Sequence, residues 1–200
     1  MARPREFDET AVLDAAVACF WARGYQAASV RELAEGMGIT GASLYNAFGD
    51  KRALYRRALE HYVESTFAAR VRRVEPLQPR QAIAAFFDEI IERSLADPQR
   101  KGCMIVNSAL EVAPHDAEFQ AVVADVLLRI EGFFLRCIQA GQRSGAVAAA
   151  QPAEDLARLL LGVLMGVRVM ARARPERELL EGMVRPALAL LAARAGEPPQ

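Results

Sequence analysis

The strongest constraint on the fold of this chain is the stretch SVRELAEGMGITGASLYNAFGDK at residues 29–51. Ser29 and Glu32 have the spacing of a capping box, in which each side chain bonds the backbone amide of the other residue, and this predicts a helix from Val30. Apolar residues then follow at the i, i+3, i+4, i+7 spacing of one buried face: Val30, Leu33, Ala34 and Met37. Gly38 predicts the end of the helix, because glycine readily adopts the left-handed backbone found there.

A second short helix is predicted directly after this turn. Thr40 is its expected N-cap, and Leu44 and Phe48, four residues apart, are expected to point inward. The opposite face carries small or hydrogen-bonding side chains: Ala42, Ser43, Tyr45 and Asn46. Such a helix can enter the major groove of DNA and approach the base edges closely. A surface hairpin without a partner is the alternative, but it gives no reason for these side chains to share one side with Lys51.

Charged residues at two helix starts extend the predicted DNA surface. Lys51 is one of only two lysines in the sequence, and it follows Asp50, the expected N-cap of the next helix. A flexible ammonium beside helix-start amides is suited to hold a phosphate. Arg31 is expected to face outward, where it could reach a phosphate or a guanine or could simply be solvated. The predicted DNA-binding residues are therefore Arg31, Thr40, Ala42, Ser43, Tyr45, Asn46 and Lys51.

Many positions of this region share the order and spacing of a known protein family. They are Phe20, Gly24, Tyr25, Ser29, Val30, Leu33, Ala34, Gly38, Ile39, Gly41, Leu44, Tyr45, Phe48, Lys51 and Leu54. In these residues the chain resembles the N-terminal domain of the TetR family of bacterial transcriptional repressors. The resemblance implies an all-α fold, with a three-helix helix-turn-helix DNA-binding domain at residues 1–50 and a helical effector-binding and dimerisation domain at residues 51–200. It also implies that Arg3 and Arg5 of the N-terminal arm can lie in the minor groove or on phosphates; a disordered basic tail is the alternative.

Composition restricts the class of protein further. No apolar run free of charge is long enough to cross a bilayer, and the N-terminus MARPREFDE lacks the apolar segment of a secretory signal, so we expect a soluble cytoplasmic protein. The three cysteines form no CxxC pair, which favours a reducing compartment, and we expect neither a metal nor a cofactor. Because the formal net charge is +0, any DNA site has to be a local cationic surface.

The rest of the sequence has helical periodicity and no strand-like alternation. A long helix is predicted from Lys51 to about Val74, and the resemblance makes it the lever between the two domains. Further helices are predicted at residues 80–95, 102–112, 116–141, 152–174 and 176–195, with a kink at Pro186. The last two are apolar over more than one face, and Gly162 and Gly166 allow close helix approach. The resemblance implies that they pair with a second subunit in a four-helix interface; core helices of a monomer are the alternative.

The resemblance also implies an effector cavity in the second domain. The sequence supplies bulky or adaptable side chains for its lining, and two polar ones that could orient a ligand. These candidates are Phe67, Phe86, Phe87, Ile90, Met104, Asn107, Phe133, Phe134, Met165 and Arg168. For any single member of the set, ordinary core packing is the alternative.

Cys103 is a separate candidate site. It is predicted in the first turn of a helix, just after Arg100 and Lys101, where helix-start amides and two cations would favour the thiolate. One hypothesis is therefore a sensor of oxidants or electrophiles, and a buried inert thiol is the alternative. We expect Cys19 and Cys137, which lie on apolar faces, to be core residues.

The leading prediction is a ligand-responsive transcriptional repressor that binds a palindromic DNA operator as a homodimer and is released by a small-molecule effector. The alternatives are a redox or electrophile-sensing repressor that acts through Cys103, and a helical protein-interaction adaptor that does not bind DNA. An enzyme is disfavoured, because His61 and His115 are isolated in the sequence and no Gly-rich phosphate loop occurs.

Overall fold

The computed structural model describes residues 8–192. In this part the chain forms ten α-helices: α1 (Glu9–Arg23), α2 (Val30–Gly36), α3 (Gly41–Phe48), α4 (Lys51–Val63), α5 (Ala69–Val74), α6 (Pro79–Leu95), α7 (Met104–Glu111), α8 (Ala117–Arg143), α9 (Ala153–Ala173) and α10 (Arg177–Leu190). A π-helical turn at Glu64–Ala68 joins α4 to α5. The predicted all-α fold is confirmed, with no strand between residues 8 and 192. Arg3 and Arg5 lie outside the described residues.

Two of the predicted helices differ from those observed. The helix predicted from Lys51 to Val74 is interrupted by the π-helical turn, where the hydroxyls of Ser65 and Thr66 donate to the Tyr62 carbonyl at 3.3 and 2.6 Å. These bonds compete with the regular amide ladder of an α-helix. The helix predicted at residues 176–195 ends at Leu190.

The end of α10 has a visible cause. The Ala148 amide donates to the Leu191 carbonyl at 3.2 Å, and Val147 forms an isolated antiparallel bridge with Ala192. The Leu191 carbonyl, which a longer helix would use, therefore bonds to the loop after α8 instead. Residues 193–195 of the predicted helix lie outside the described part of the chain. None of the helices that the structure describes is both long and apolar enough to span a membrane.

The chain divides into two compact units, and each is described by itself. Unit 1 contains residues 8–66 and 103–121, and unit 2 contains residues 67–102 and 122–192. The α4 helix and the short α7 helix thus belong to the same unit as the first three helices. The boundary predicted between residues 50 and 51 stays a prediction.

An aromatic core holds unit 1 together. The Tyr55 ring lies between those of Phe20 and Phe119, with centroid separations of 4.8 and 5.2 Å, and the Tyr55 hydroxyl bonds the buried Ser108 hydroxyl at 2.7 Å. The α1 helix contributes its buried residues Val12, Leu13, Ala16 and Phe20 to this core. His61 of α4 has a partner in space, because its Nε2 lies 2.7 Å from Oδ1 of Asp14 on α1.

A second aromatic cluster forms the core of unit 2. Four buried rings from α6 and α8 pack against one another at centroid separations between 5.0 and 6.3 Å; they belong to Phe86, Phe87, Phe133 and Phe134. Arg70 of α5 is only 3% exposed, and its guanidinium carbon lies 5.3 Å from the centroid of the Phe86 ring. The side chain of this arginine is therefore part of the core of unit 2.

Candidate nucleic-acid interface

The α2 helix begins and ends as its sequence predicts. The Ser29 hydroxyl accepts from the Glu32 amide at 3.2 Å, and the Glu32 carboxylate accepts from the Ser29 amide at 3.0 Å, which completes the capping box. Gly38 has φ +66°, and the Ile39 amide bonds the Ala34 carbonyl at 3.0 Å. This left-handed cap sets the tight turn into α3.

The α3 helix has one buried face and one exposed face. The Thr40 hydroxyl caps it by accepting from the Ser43 amide at 3.0 Å, and Leu44 and Phe48 are buried in unit 1. Ala42 and Asn46 are exposed, Ser43 is half-buried, and the Tyr45 side chain is 51% exposed. The predicted orientation of α3 is thus confirmed: large apolar groups face inward, and small or hydrogen-bonding groups face outward.

Lys51 lies at the start of α4 and contacts the turn between α1 and α2. Asp50 caps α4 by accepting from the Ala53 amide at 2.7 Å, as predicted. The Lys51 ammonium donates to the Gln26 carbonyl at 3.2 Å and lies 4.7 Å from the centroid of the Tyr25 ring. The position of this cation therefore depends on the backbone of the turn beneath it.

Arg31 is a highly exposed member of the predicted set of DNA contacts. Its side chain is 85% exposed, and its Nε lies 3.8 Å from Oε1 of Glu35 one turn later. An exposed i, i+4 ion pair at that distance contributes little to stability, so the arginine can exchange it for another anion at little cost. The predicted DNA-binding residues are thereby located on α2, α3 and the start of α4.

Glu111, the last residue of α7, was not among the predicted site residues, yet it holds the turn between α1 and α2. Its carboxylate accepts from the Tyr25 amide at 3.1 Å and from the Gln26 amide at 2.9 Å. The backbone conformation favours glycine at position 24, where φ is +81°. A Cβ there would lie 2.8 Å from Oε2 of Glu111 and would displace that carboxylate.

A cavity of about 430 Å³ opens beside the start of α4 in unit 1. Its cationic lining residues already bond to carboxylates: Arg52 to Asp116 at 2.9 Å, Arg56 to Glu118 at 3.1 Å, and Arg57 to Glu9. The Arg52 bond is the main reason that the pKa of Asp116 lies below its usual value. These ion pairs fix α4 within its unit, so the cavity is not a ready-made anion site.

The predicted effector-binding residues fall in both units. The four phenylalanines Phe86, Phe87, Phe133 and Phe134 come together in the core of unit 2, where Ile90 is also buried and Phe67, Met165 and Arg168 are half-buried. Phe67 lies with its ring centroid 6.3 Å from that of Phe86. Met104 and Asn107 are on α7 in unit 1, where Met104 is buried and Asn107 half-buried. Their joint role in an effector site stays a prediction.

Cys103 is the N-cap residue of α7 and does not lie in its first turn as predicted. Its side chain is half-buried, and the Tyr62 hydroxyl donates to its Sγ at 3.8 Å. Lys101, one of the cations expected to favour its thiolate, lies 3.6 Å from a carboxylate oxygen of Asp97. Reactivity at Cys103 stays a prediction.

Burial raises the pKa of Cys137 to about 11, which suits a structural thiol.

Family models and related proteins agree with this architecture. The model described as "Bacterial regulatory proteins, tetR family" matches residues 12–58, and "Tetracyclin repressor-like, C-terminal domain" matches residues 79–186. An uncharacterised HTH-type transcriptional regulator of Bacillus subtilis, YezE, is 41% identical over 120 residues, which span 59% of this chain and 61% of that protein. The HTH-type transcriptional repressor ComR of Escherichia coli is 26% identical over 172 residues, 85% of this chain and 82% of that one.

A solved structure extends the likeness to almost the whole chain. A cysteine mutant of the TetR family transcriptional regulator CifR, complexed with 26 bp double-strand operator DNA, superposes with a TM-score of 0.83. It is 34% identical to this chain, and the match covers 94% of this chain and 98% of CifR. With one family model on the helix-turn-helix and another on more than half of the sequence, the chain belongs to the TetR family of bacterial transcription regulators.

Proposed function

We propose that this protein is a transcriptional repressor that binds double-stranded operator DNA through the outward face of α3. The exposure of Ala42, Tyr45 and Asn46 on a helix whose other face is buried is the observation that carries the proposal. Family membership supports it, as does the operator DNA bound to the related CifR mutant. A family of transcription regulators also gives no support to an enzymatic role.

The chemistry of the exposed face divides its residues into two groups. Thr40, Tyr45 and Lys51 offer hydroxyls and an ammonium, which suit phosphate oxygens and carry no sequence information. Ala42, Ser43 and Asn46 lie on the first turns of α3, and an asparagine amide can bond both N6 and N7 of an adenine. Arg31 can serve either purpose, because a guanidinium pairs with phosphate or with guanine.

A homodimer follows from the way such helices read DNA. Two copies of α3 one helical turn of DNA apart would bind the two halves of a palindrome. The surface of α9 and α10 supports this assembly, since Leu159, Val169 and Leu190 are each more than two-fifths exposed. Gly162 has open space around it, whereas Gly166 already packs against Met183 of α10 within the same chain.

Release by a small molecule requires that the molecule prefer one conformation of the dimer. An effector held by the predicted residues of unit 2 would lower operator affinity only if it bound more tightly to the conformation with the wrong separation of the two α3 helices. Such a repressor would work where the bacterial DNA lies, in the cytoplasm.

The proposal can be tested on random duplex DNA. Sequences retained by the purified protein are selected from a randomised library, and affinity for the enriched sequence is then measured by fluorescence anisotropy across a range of salt concentrations. A repressor is expected to enrich a palindrome and to lose affinity steeply as salt rises. An adaptor that does not bind DNA would enrich nothing.

Replacing Tyr45 or Lys51 with alanine should weaken binding to selected and unselected duplexes by the same factor, about five- to tenfold. The expected cause is the loss of one phosphate contact in each subunit. Arg80→Ala, which removes one charge from an exposed position on α6 of unit 2, is the charge-matched control and should change affinity by less than about twofold. Unchanged affinity in both variants would contradict the assignment of the phosphate contacts.

Sensing through Cys103 remains the alternative mode of release, and the half-buried thiol beside Tyr62 is the observation behind it. If it operates, pre-treatment with an oxidant or an alkylating electrophile will reduce operator binding of the wild type and leave Cys103→Ser unaffected. The same loss of binding in both proteins would exclude Cys103 as the sensor.

A further inference from the structure

We propose that Glu111 is a positioning residue for DNA binding, which holds the turn Gly24–Gln26 and through that turn the ammonium of Lys51. The inference rests on the proposed function, and it adds a residue that contacts none of the predicted DNA-binding side chains directly. Glu111 lies at the end of α7, 60 positions after Lys51 in the sequence. All of the contacts involved lie within unit 1.

The first step of the connection is a carboxylate that binds two consecutive backbone amides. Oε2 of Glu111 accepts from the Tyr25 amide at 3.1 Å, and Oε1 accepts from the Gln26 amide at 2.9 Å. Hydrogen bonds to a charged acceptor are stronger than neutral ones, and two of them fix the orientation of the peptide planes that they join. A turn that contains Gly24 would otherwise have considerable backbone freedom.

The second step joins the fixed turn to the cation. The Gln26 carbonyl accepts from the Lys51 ammonium at 3.2 Å, and the ring of Tyr25 lies 4.7 Å below it. That ring is in turn held 4.7 Å from the ring of Tyr55 and 6.0 Å from that of Phe119. Glu111 thus anchors the stretch of backbone that carries both groups in contact with the ammonium of Lys51.

The direction in which Glu111→Gln changes DNA affinity distinguishes a positioning role of Glu111 from a general electrostatic effect of its charge. Glu111→Gln preserves side-chain volume and removes one negative charge, and removing a negative charge ordinarily favours association with DNA. However, an amide group at this position keeps one acceptor and turns an N–H donor toward a backbone N–H. Positioning therefore predicts weaker DNA binding, whereas general electrostatics predicts equal or tighter binding.

The first experiment measures affinity for the selected operator duplex. Glu111→Gln is expected to weaken it about fivefold, and to change it by less than about twofold when Lys51 is already alanine. The salt dependence should also fall toward that of Lys51→Ala, which a simple loss of stability would not produce. Glu60→Gln, an exposed carboxylate on α4 of the same unit, is the matched control and should bind the duplex at least as tightly as the wild type.

The second experiment needs no DNA and uses the fact that the sequence contains only two lysines. The protein is treated briefly with an amine-reactive acetylating reagent, and modification of Lys51 relative to Lys101 is measured by mass spectrometry. We call the contacts from Glu111 through Gln26 to the ammonium of Lys51 the clamp. Its loss in Glu111→Gln should raise this ratio about threefold, because the ammonium spends less time bonded to Gln26. Glu60→Gln should leave the ratio unchanged.

The two experiments distinguish a failure of the proposed function from a failure of the inference about Glu111. A wild type that binds no duplex would refute the proposed function, and the labelling ratio would then decide whether the clamp exists. An unchanged labelling ratio in Glu111→Gln would overturn the inference. So would operator affinity at or above the wild-type value, or an equal loss of affinity in the presence and absence of Lys51.

Discussion

Replacing Glu89 with alanine is expected to lower the free energy of unfolding by about 3 to 5 kcal/mol, because the buried guanidinium of Arg70 loses the carboxylate beside it. Nε of Arg70 lies 3.2 Å from Oε1 of Glu89, and the Arg70 side chain is 3% exposed. Arg73 donates to the same carboxylate oxygen at 2.6 Å. Removing the partner of a buried charge is far more costly than removing one partner of a surface pair.

The pKa of Glu89 predicts how its contribution to stability changes with pH. Burial raises the pKa of Glu89, but the hydrogen bond from Arg73 and the charges of Arg70, Arg73 and Arg93 outweigh that effect and hold the pKa below its usual value. A carboxyl with a depressed pKa in the folded state stabilises the protein above its unfolded-state pKa. That stabilisation is lost as pH falls through the folded-state pKa, so the difference between wild type and Glu89→Ala should narrow in acid.

Glu92 provides the control for Glu89 on the same helix. Its side chain is 60% exposed, and it pairs with Arg177 at 2.9 Å on the surface of unit 2. Glu92→Ala should therefore lower the free energy of unfolding much less than Glu89→Ala does. Urea denaturation of both variants at one fixed protein concentration makes the comparison. Equal losses in the free energy of unfolding would show that the carboxylate beside Arg70 contributes no more to stability than a surface carboxylate does.

Replacing Asn46 with alanine is expected to change which DNA sequence the protein prefers. If its amide bonds a base edge, its loss removes discrimination at one base pair in each half-site, and affinity for the wild-type operator should fall by about tenfold to a hundredfold. Affinity for unselected duplexes should hardly change, because no phosphate contact is lost. This pattern is the opposite of the uniform weakening expected for Tyr45→Ala.

The measurement is a repeated selection from randomised duplexes, with wild type and Asn46→Ala in parallel. Gln120→Ala, which removes an exposed amide from α8 in the same unit, is the control and should return the wild-type consensus. If Asn46→Ala returned that consensus as well, with undiminished affinity, direct reading of bases by Asn46 would be excluded.

The parts of the site that the sequence predicts correctly depend on short-range signals. The Ser29 and Glu32 box, the left-handed Gly38 and the Thr40 and Asp50 caps each follow from side chains that bond backbone within a few residues. Those signals fix where α2 and α3 begin, and the i, i+4 spacing of Leu44 and Phe48 fixes which face of α3 is exposed.

The parts that the sequence does not predict depend on long-range contacts or on local competition. Glu111 bonds amides 85 and 86 positions away, and a single carboxylate at the end of a short helix gives no periodic signal of that role. Arg70 did carry a signal, since it occupies an apolar position three residues after Phe67 and four before Val74. The π-helical turn arises where the Thr66 hydroxyl bonds the Tyr62 carbonyl. The spacing of apolar residues contains no signal for such a bond.

Hydroxyl-radical footprinting of Tyr45 tests most directly whether the outward face of α3 lies against DNA. The Tyr45 side chain is 51% exposed in unit 1, and Leu128, 65% exposed in unit 2, serves as the internal reference. With saturating operator duplex, the oxidation rate of Tyr45 should fall while that of Leu128 stays the same. Oxidation of Tyr45 at an unchanged rate in the fully bound protein would contradict DNA binding through α3.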